Sequence, residues 1–324
     1  MKGIIAKEPG GAEQLIYTEM PEPELTDSDI LIEVHATAVN RTDILNREGN
    51  IGYVENPIIG VEVAGVVLDP NDHPTFSKGD RVMGLVNGGA YAEKAVMPAD
   101  RAMKVPESLS FEEAAAIPEV YLTAYQTLYW LGNLKETETV LIHAGASGVG
   151  TAAIQLAKVL SNARVITTAG SEEKLSYCRE LGADVVINYK EQDFAAEVER
   201  ATDGQGVNLI LDFVGASYWE NNYKSIAVDG RWVVIGVLGG STVNQVNLMD
   251  LMMKRVQLTG TLLTPRSNEY KAQLTTEFIN QTTKYFEEGK LKPIVDTIFA
   301  IEQAGDAHRH MEANKNIGKI ILRV

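Results

Sequence analysis

The feature that most constrains the fold is a glycine-rich turn between an apolar strand and a helix, in the segment Thr139–Lys158. Gly145 permits a tight turn, and Gly150 permits close packing of the helix on the strand. Ser147 replaces the middle glycine of the G-x-G-x-x-G pattern, with Gly148 beside it. Backbone N–H groups at such a helix N-terminus bind a pyrophosphate when no side chain obstructs them. The turn predicts dinucleotide binding, and the alternative is an ordinary strand–helix turn.

From about residue 119 to residue 260, short apolar runs alternate with helical stretches, which predicts a parallel sheet covered on both faces. The predicted strands are 139–144, 164–168, 185–188, 207–212 and 231–237, with a further strand at 256–263. The predicted helices are 149–160, 172–182, 192–202 and 217–227. The glycine turn opens this alternation, as it does in a doubly wound Rossmann sheet.

Residues 1–118 have a different pattern, in which short β-type runs are separated by Gly and Pro, and this predicts an antiparallel or barrel-like region. The predicted strands there are 15–20, 30–38, 61–68, 81–85 and 90–96. The last sixty or so residues contain an amphipathic helix, Lys271–Glu288, and a terminal strand, Lys319–Val324. We therefore predict a domain of residues 1–118 and 261–324 around a Rossmann domain of residues 119–260.

Charge and cysteine content exclude several classes of protein. The chain has 29 Lys and Arg against 44 Asp and Glu, a net charge of −15, which argues against a nucleic-acid partner. Its single cysteine excludes an intrachain disulfide. The N-terminal residues lack a signal-peptide pattern, and no run reaches the ~18 apolar residues of a membrane helix. We expect a cytoplasmic protein without a membrane partner.

The end of the second strand bears on which dinucleotide binds. NAD-specific folds usually have a carboxylate there for the ribose 2′-hydroxyl, whereas this chain has Gly170 and Ser171, followed by Lys174. A serine hydroxyl and a lysine ammonium favour a 2′-phosphate, and thus NADP(H). The alternatives are a helix N-cap for Ser171 and a solvated lysine, and Glu172 and Glu173 could oppose a phosphate.

Several strings together resemble the medium-chain dehydrogenase/reductase superfamily, in its zinc-free, zeta-crystallin-like quinone oxidoreductase branch. They are Ala38–Asp43, Gly60–Gly65, Gly79–Val82, Ala144–Lys158 and Gly318-Lys319. The strings Ser147–Ala153, Gly230–Trp232 and Met311–Lys319 look closest to the quinone oxidoreductases that a tumour suppressor induces in animals. The resemblance implies an α/β fold with a Rossmann doubly wound parallel sheet domain and a β-rich GroES-like catalytic domain.

The resemblance implies an NADPH-dependent quinone oxidoreductase, and departures from zinc-dependent relatives suggest that it works without a metal. Asn40 and Val61 stand where the zinc alcohol dehydrogenases have Cys and His ligands, and Glu119–Tyr121 offers no Cys or His for a third. The four-cysteine structural lobe is also missing. Hydride transfer to a quinone or activated alkene needs no Lewis acid of the kind that stabilises an alkoxide.

The resemblance also assigns site residues. It places Asn40 and Thr123 near the nicotinamide ring and the substrate, and Tyr53 as a hydrogen-bond donor to the quinone oxygen. It assigns cofactor binding to Gly145, Ser147, Gly148, Val149, Gly150, Gly170, Ser171, Lys174, Tyr189, Val237, Leu263 and Asn316. It further implies a cleft between the domains and a homodimer through the Rossmann sheet edge at Val256–Leu263.

Two other functions remain open, and one class is excluded. An enoyl-thioester or alkenal reductase would share the fold, the cofactor and the hydride step, and a crystallin-like NADPH-binding protein would lack catalysis. A short-chain dehydrogenase is excluded because no tyrosine has a lysine four residues later. Among single residues, we predict that Cys178 is packing and that His308 and His310 lie on the surface.

Overall fold

The computed structural model describes residues 1–50 and 56–324, and it divides into two compact units. Unit 1 comprises Met1–Leu122 and Leu263–Val324, and unit 2 comprises Thr123–Leu262. Tyr53 lies outside the described residues. No helix within the described ranges is long and apolar enough to cross a membrane.

The first segment of unit 1 is rich in β-structure, as the Gly- and Pro-punctuated pattern predicts. Its strands are β1 (Lys2–Ala6), β2 (Leu15–Glu19), β3 (Asp29–Ala38), β4 (Glu62–Asp69), β5 (Arg81–Leu85), β6 (Lys94–Pro98) and β7 (Ala102–Lys104). Its helices are α1 (Arg41–Arg47), α2 (Phe111–Ala115) and α3 (Pro118–Tyr125), the last of which continues into unit 2 from Thr123, and 3₁₀ turns lie at Ala12–Gln14 and Ala99–Arg101. The strand predicted at 90–96 begins only at Lys94 and runs to Pro98, and before it Ala92 forms an isolated bridge with Gly3.

Unit 2 alternates strands and helices. In chain order these are β8 (Thr139–Ile142), α4 (Gly148–Ser161), β9 (Arg164–Ala169), α5 (Glu172–Glu180), β10 (Val185–Asn188), α6 (Phe194–Ala201), β11 (Val207–Asp212), α7 (Trp219–Ser225), β12 (Ile226–Val234), α8 (Leu248–Lys254) and β13 (Gln257–Gly260). A π-helical segment, Gln126–Leu131, follows α3, and a 3₁₀ turn, Ala216–Tyr218, precedes α7.

The strands of unit 2 form a parallel sheet in the order β10-β9-β8-β11-β12-β13. This order reverses between β8 and β11, and ligands of doubly wound sheets bind at such a reversal, outside the carboxyl ends of the strands. The predicted doubly wound Rossmann fold is confirmed, and the glycine turn follows β8 at the reversal. Trp232, Ile166 and Leu141 belong to the core under this sheet.

The C-terminal segment returns to unit 1. It contains α9 (Asn268–Glu287), β14 (Val295–Ala300), a 3₁₀ turn (Ile301–Gln303), α10 (Ala304–Glu312) and β15 (Lys319–Arg323). The sheet order is β14-β15-β3-β4-β5-β7, with β6 also paired to β3. β15 runs antiparallel to β3, which in turn runs antiparallel to β4. This pairing brings the start of β15 and the start of β4 to the end of β3, just before Asn40.

Alternating apolar residues of these strands form the core of unit 1. On β3, Ile30, Ile32 and Val34 are buried, while Glu33 is exposed. Each fully buried aliphatic side chain contributes about 1.5–3 kcal/mol, so the core can also hold a few polar groups, provided that they are paired.

Candidate functional site

The glycine turn of unit 2 has the tight geometry that its sequence predicts. Gly145 N–H donates to Thr168 O over 3.0 Å, which ties the turn to β9. A Cβ at Gly145 would lie 2.1 Å from Thr167 Oγ1, and a Cβ at Gly150 would lie 2.3 Å from Ala144 O. Both positions therefore require glycine, because any side chain would collide with groups that cannot move far.

Ser147 is the N-cap of α4, and its Oγ accepts Gly150 N–H over 3.1 Å. Capping leaves other donors of the first turn available. Gly148 and Val149 are the first two residues of the helix, and N–H groups at these positions have no intrahelical acceptor. Because both residues are only half-buried, an anion can approach this 14-residue helix end.

A second group of polar residues lies at the tip of the sheet beside the turn. β9 and β10 are parallel and in register, with Asn188 opposite Ala169, so the residues that follow them are neighbours. A Cβ at Gly170 would lie 2.8 Å from Tyr189 Oη and 3.1 Å from Lys190 Cε. The fold thus brings Tyr189 to Gly170, and it adds Lys190, a cation that the sequence reasoning missed although it lies only two residues after the predicted strand 185–188.

The start of α5 completes this group. Ser171 is the N-cap, and its Oγ lies 3.4 Å from Lys174 N, so the capping alternative holds in this structure. Lys174 itself is half-buried one turn into the helix. Glu172 does not oppose an anion here, because its Oε1 accepts a hydrogen bond from Arg179 Nη1, 2.7 Å away and further along α5.

Four further residues proposed for the site are distributed over both units. In unit 2, Val237 is half-exposed after β12, and Thr123 is 6% exposed on α3. In unit 1, Leu263 is buried, and Asn316 Nδ2 donates to Gly318 O over 2.8 Å, within its own loop.

Asn40 has a fixed side chain in unit 1. Its Nδ2 donates to Glu62 Oε1 over 2.7 Å, and its Oδ1 accepts from Lys319 Nζ over 2.6 Å. Lys319 also donates to Glu62 Oε1 over 2.9 Å and to Val39 O over 3.0 Å. Because Lys319 can only donate, its contact assigns the oxygen and nitrogen of the Asn40 amide.

Two further carboxyl groups, those of Asp43 and Glu119, lie next to the ion pair of Lys319 and Glu62. Asp43, in the first turn of α1, accepts Asn40 N–H over 2.8 Å, and burial raises its pKa to about 7, against the opposing effect of that N–H and of Lys319. Glu119 N–H donates to Glu62 Oε2 over 2.8 Å. Burial first, and then repulsion from Glu62, raise the pKa of the Glu119 side chain to about 8. A group with a pKa near neutrality can exchange a proton under ordinary conditions.

The prediction that His308 lies on the surface is wrong. Its side chain is fully buried, on the face of α10 that also buries Ala304 and Ala307. Helical spacing showed correctly that the two histidines lie on different faces, but not which face packs inward. His310 is half-buried and lies 2.9 Å from Asp296 Oδ2. The packing role predicted for Cys178 is consistent with its complete burial.

Sequence reasoning missed the polar residues around Asn40. Asp43, Glu62 and Lys319 fall inside strings quoted for the family resemblance, so a signal was present in those strings. Beyond Asp43, a hydrogen-bonded chain of Tyr91, His308 and Arg47 had no such signal, since none of these residues lies in a string quoted for the resemblance.

The donor set around Asn40 differs from a zinc site. Val61 is apolar and 3% exposed, and an ammonium group, Lys319 Nζ, is hydrogen-bonded to both Asn40 and Glu62. In residues 1–50 and 56–324, no three or more His, Cys, Asp or Glu side chains are grouped so that they could hold a metal ion.

A β-rich unit joined to a Rossmann unit with a glycine turn after its first strand defines the medium-chain dehydrogenase/reductase architecture. Residues 26–107 match the family described as alcohol dehydrogenase GroES-like domain, and residues 148–280 match the family described as zinc-binding dehydrogenase. The chain belongs to this superfamily, among its quinone oxidoreductase-like members.

Relatives support this placement along the whole chain. Quinone oxidoreductase-like protein 2 homolog of Nematostella vectensis is 33% identical over 319 residues, which are 96% of this chain and 86% of that protein. Escherichia coli quinone oxidoreductase, solved in complex with NADPH, matches with a TM-score of 0.89 at 29% identity over 100% of both chains. A mycobacterial protein, also complexed with NADPH, matches with a TM-score of 0.90 at 31% identity over 100% of both chains.

Proposed function

We propose that this protein is an NADPH-dependent quinone oxidoreductase that works without zinc. The observation that carries the proposal is the sheet tip of unit 2, where Gly170 allows Tyr189 Oη to approach and Lys190 lies beside it. Ser171 and Lys174 flank the same tip, and no carboxylate ends β9. A hydroxyl and ammonium groups match a 2′-phosphate, which NADPH has and NADH lacks.

The glycine turn would hold the pyrophosphate of that cofactor. Gly148 and Val149 offer N–H groups at the N-terminus of α4, and Gly145 and Gly150 keep the turn close to the sheet. Two similar proteins were solved with NADPH bound, which supports the same cofactor here. When bound, NADPH supplies the hydride, and NADPH, a quinone and one proton are converted to NADP⁺ and the hydroquinone.

The protein's own groups would orient the acceptor and exclude competing chemistry. Asn40 is held by Glu62 and Lys319, so its amide keeps one orientation. An ammonium already hydrogen-bonded to Asn40 and Glu62 would repel a metal cation placed beside them, which favours chemistry without zinc. In this proposal, Thr123 lines the reaction site, and Tyr53 donates a hydrogen bond to the quinone oxygen as charge develops there.

The experiment is a rapid-mixing measurement of NADPH absorbance on chelator-treated protein, with phenanthrenequinone, a crotonyl thioester and an enone as separate acceptors. We expect fast oxidation with the quinone, at least about tenfold faster than with either alkene. Faster turnover of a thioester or enone would instead identify an alkene reductase of the same superfamily. Binding of NADPH without turnover of any acceptor would favour a non-enzymatic role.

We also propose that the protein forms a homodimer through the edge of the Rossmann sheet. β13 ends the strand order of that sheet, and the neighbouring helix α8 exposes Leu248, Met249, Met252 and Met253, the last of them 69% exposed. Edge strands and exposed apolar patches of this kind are usually covered by a partner. A second copy of the chain is the occupant that the resemblance implies.

A further inference from the structure

A line of buried hydrogen bonds runs through unit 1 from Arg47 to Asp43, by way of His308 and Tyr91. Arg47 Nη1 lies 3.4 Å from His308 Nδ1, and His308 Nε2 lies 3.2 Å from Tyr91 Oη. Tyr91 Oη in turn donates to Asp43 Oδ2 over 3.1 Å. All four side chains are at most 1% exposed. Because water cannot reach their polar groups, these contacts supply the hydrogen bonds that water would otherwise make.

The guanidinium at one end determines the direction of every bond in this line. Arg47 can only donate, so His308 Nδ1 must accept, and the ring proton is therefore on Nε2. That proton is donated to Tyr91 Oη, which leaves the tyrosine proton to be donated to Asp43. Burial and the charge of Arg47 lower the pKa of His308 to about 3, so the ring is neutral and has a single N–H.

Both ends of the line are anchored. Arg47 Nε donates to Gly10 O over 2.9 Å, and its Nη2 donates to Glu312 Oε1 over 2.6 Å. At the other end, Asp43 Oδ2 receives the Asn40 N–H as well as the Tyr91 proton. Two donors that converge on one oxygen stabilise the ionised carboxylate over the acid.

The groups that face Asp43 set its charge. Lys319 and the two hydrogen-bond donors favour the ionised form, whereas burial and Glu62 oppose it. Glu119 on α3 also interacts electrostatically with Asp43. The balance is close, because Asp43 has a pKa of about 7, so loss of one donor should change its charge near neutral pH.

We propose that Arg47, His308 and Tyr91 are positioning residues, which hold Asp43 as an ionised acceptor and through it fix the backbone of Asn40. A protonated Asp43 would lose part of its hold on the Asn40 N–H at the first turn of α1. The amide of Asn40 would then lose the orientation shared with Glu62 and Lys319. The effect on catalysis rests on the proposed function of Asn40. The hydrogen bonds from Arg47 to Asp43 do not depend on that function.

The first test compares Tyr91→Phe with Tyr129→Phe. Tyr129 donates a hydrogen bond to Leu156 O in unit 2. Tyr129→Phe therefore also removes a hydrogen-bonded hydroxyl, but Tyr129 is far along the chain from Asp43. We expect the kcat–pH profile of the natural enzyme to have an acid limb set by Asp43, and in Tyr91→Phe this limb should move up by about one pH unit. KM for NADPH should stay within about twofold. The acid limb of Tyr129→Phe should not move.

A second pair of variants keeps the test decisive if Tyr91→Phe folds poorly. The amide of His308→Gln can accept from Arg47 and donate to Tyr91, whereas His308→Leu can do neither. We expect the glutamine to retain the natural acid limb and the leucine to raise it. In Asp43→Asn the limb near pH 7 should disappear, and adding Tyr91→Phe should have no further effect on it.

Thermal melting separates this proposal from the proposed function, since it needs no substrate. The Tyr91 hydroxyl stabilises ionised Asp43, so the loss of Tm in Tyr91→Phe should grow as pH rises through about 7. The loss in Tyr129→Phe should not change over that range. If the pH-dependent loss is found but no quinone is reduced, the proposed function fails and the hydrogen-bond line stands. An active Tyr91→Phe enzyme with an unmoved acid limb overturns the positioning role.

Discussion

Lys319 donates a hydrogen bond to Glu62 inside unit 1, with 2.9 Å between Nζ and Oε1, and the two side chains are 3% and 0% exposed. The residues are 257 positions apart in the chain. A buried ion pair of this kind adds little net stability over an apolar pair, but removal of one partner leaves a buried charge uncompensated. The pair therefore links the C-terminal strand to β4 and holds Asn40 between them.

Lys319→Met should lower the free energy of unfolding by about 3–5 kcal/mol, because it leaves Glu62 charged and buried. Urea unfolding at neutral pH measures this loss. In the double variant with Glu62→Gln, we expect at least half of the lost stability to return. Equal losses in the single and double variants would show that the charge of Glu62 is not what the lysine compensates.

Lys190→Ala should weaken NADPH binding by about tenfold and change NADH binding by less than about twofold, since only NADPH has the 2′-phosphate. Lys174→Ala should act in the same direction. Calorimetric titration with both cofactors measures the difference. Lys224→Ala, an exposed lysine at the far end of α7, is the matched control and should bind both cofactors normally. Equal loss of NADPH and NADH affinity would refute the phosphate assignment.

Glu119 should make the protein less stable as pH rises. The pKa of this carboxyl is raised from 4.5 to about 8, so it binds its proton more tightly in the folded state. Its contribution is complete below about pH 4.5 and is lost as pH rises to about 8. Relative to Glu119→Gln, the natural protein should therefore lose on the order of 2–4 kcal/mol between these limits. Chemical unfolding at several pH values measures this.

The control for that series is Glu107→Gln, which changes an exposed carboxylate on the loop before α2. Its stability difference from the natural protein should be small at every pH. A difference for Glu119→Gln that does not vary with pH would mean that Glu119 ionises normally in the folded state.

Met252→Lys with Met253→Lys should convert a dimer to a monomer, because it places two charges in the apolar face of α8. Sedimentation velocity measures the mass. Ile16→Lys changes an exposed apolar residue of β2 in unit 1 and should leave the dimer intact. A natural protein that sediments as a monomer at micromolar concentration would remove the dimer proposal.

The sequence was most informative where structure is determined locally. The glycine turn and each apolar strand of unit 2 depend on residues that are close together in the chain, and pattern alone predicts them. The N-cap at Ser171 was only the alternative to a phosphate contact. The boundary between α7 and β12 was harder to predict from the sequence. The predicted helix 217–227 ends at Ser225, because Ile226 already pairs with Val207 of the neighbouring strand.

The buried polar network was not predictable from local pattern, since its contacts join distant segments. Tyr91 meets His308 across 217 positions, and Arg47 meets it across 261. The position of His308 on an amphipathic helix does not indicate that it will form hydrogen bonds with the buried Tyr91 hydroxyl and the Arg47 guanidinium. Asp43, Glu62 and Lys319 could be suspected from the resemblance, but their mutual geometry required the fold.

The most direct test of the central claim is a single turnover on protein shown by elemental analysis to be free of zinc. The protein is loaded with one equivalent of NADPH and mixed without oxygen with phenanthrenequinone, while NADPH and hydroquinone are both followed. We predict that one hydroquinone forms for each NADPH consumed, and that added zinc does not raise the rate. Turnover that requires zinc, or NADPH that stays reduced beside the quinone, would contradict the account.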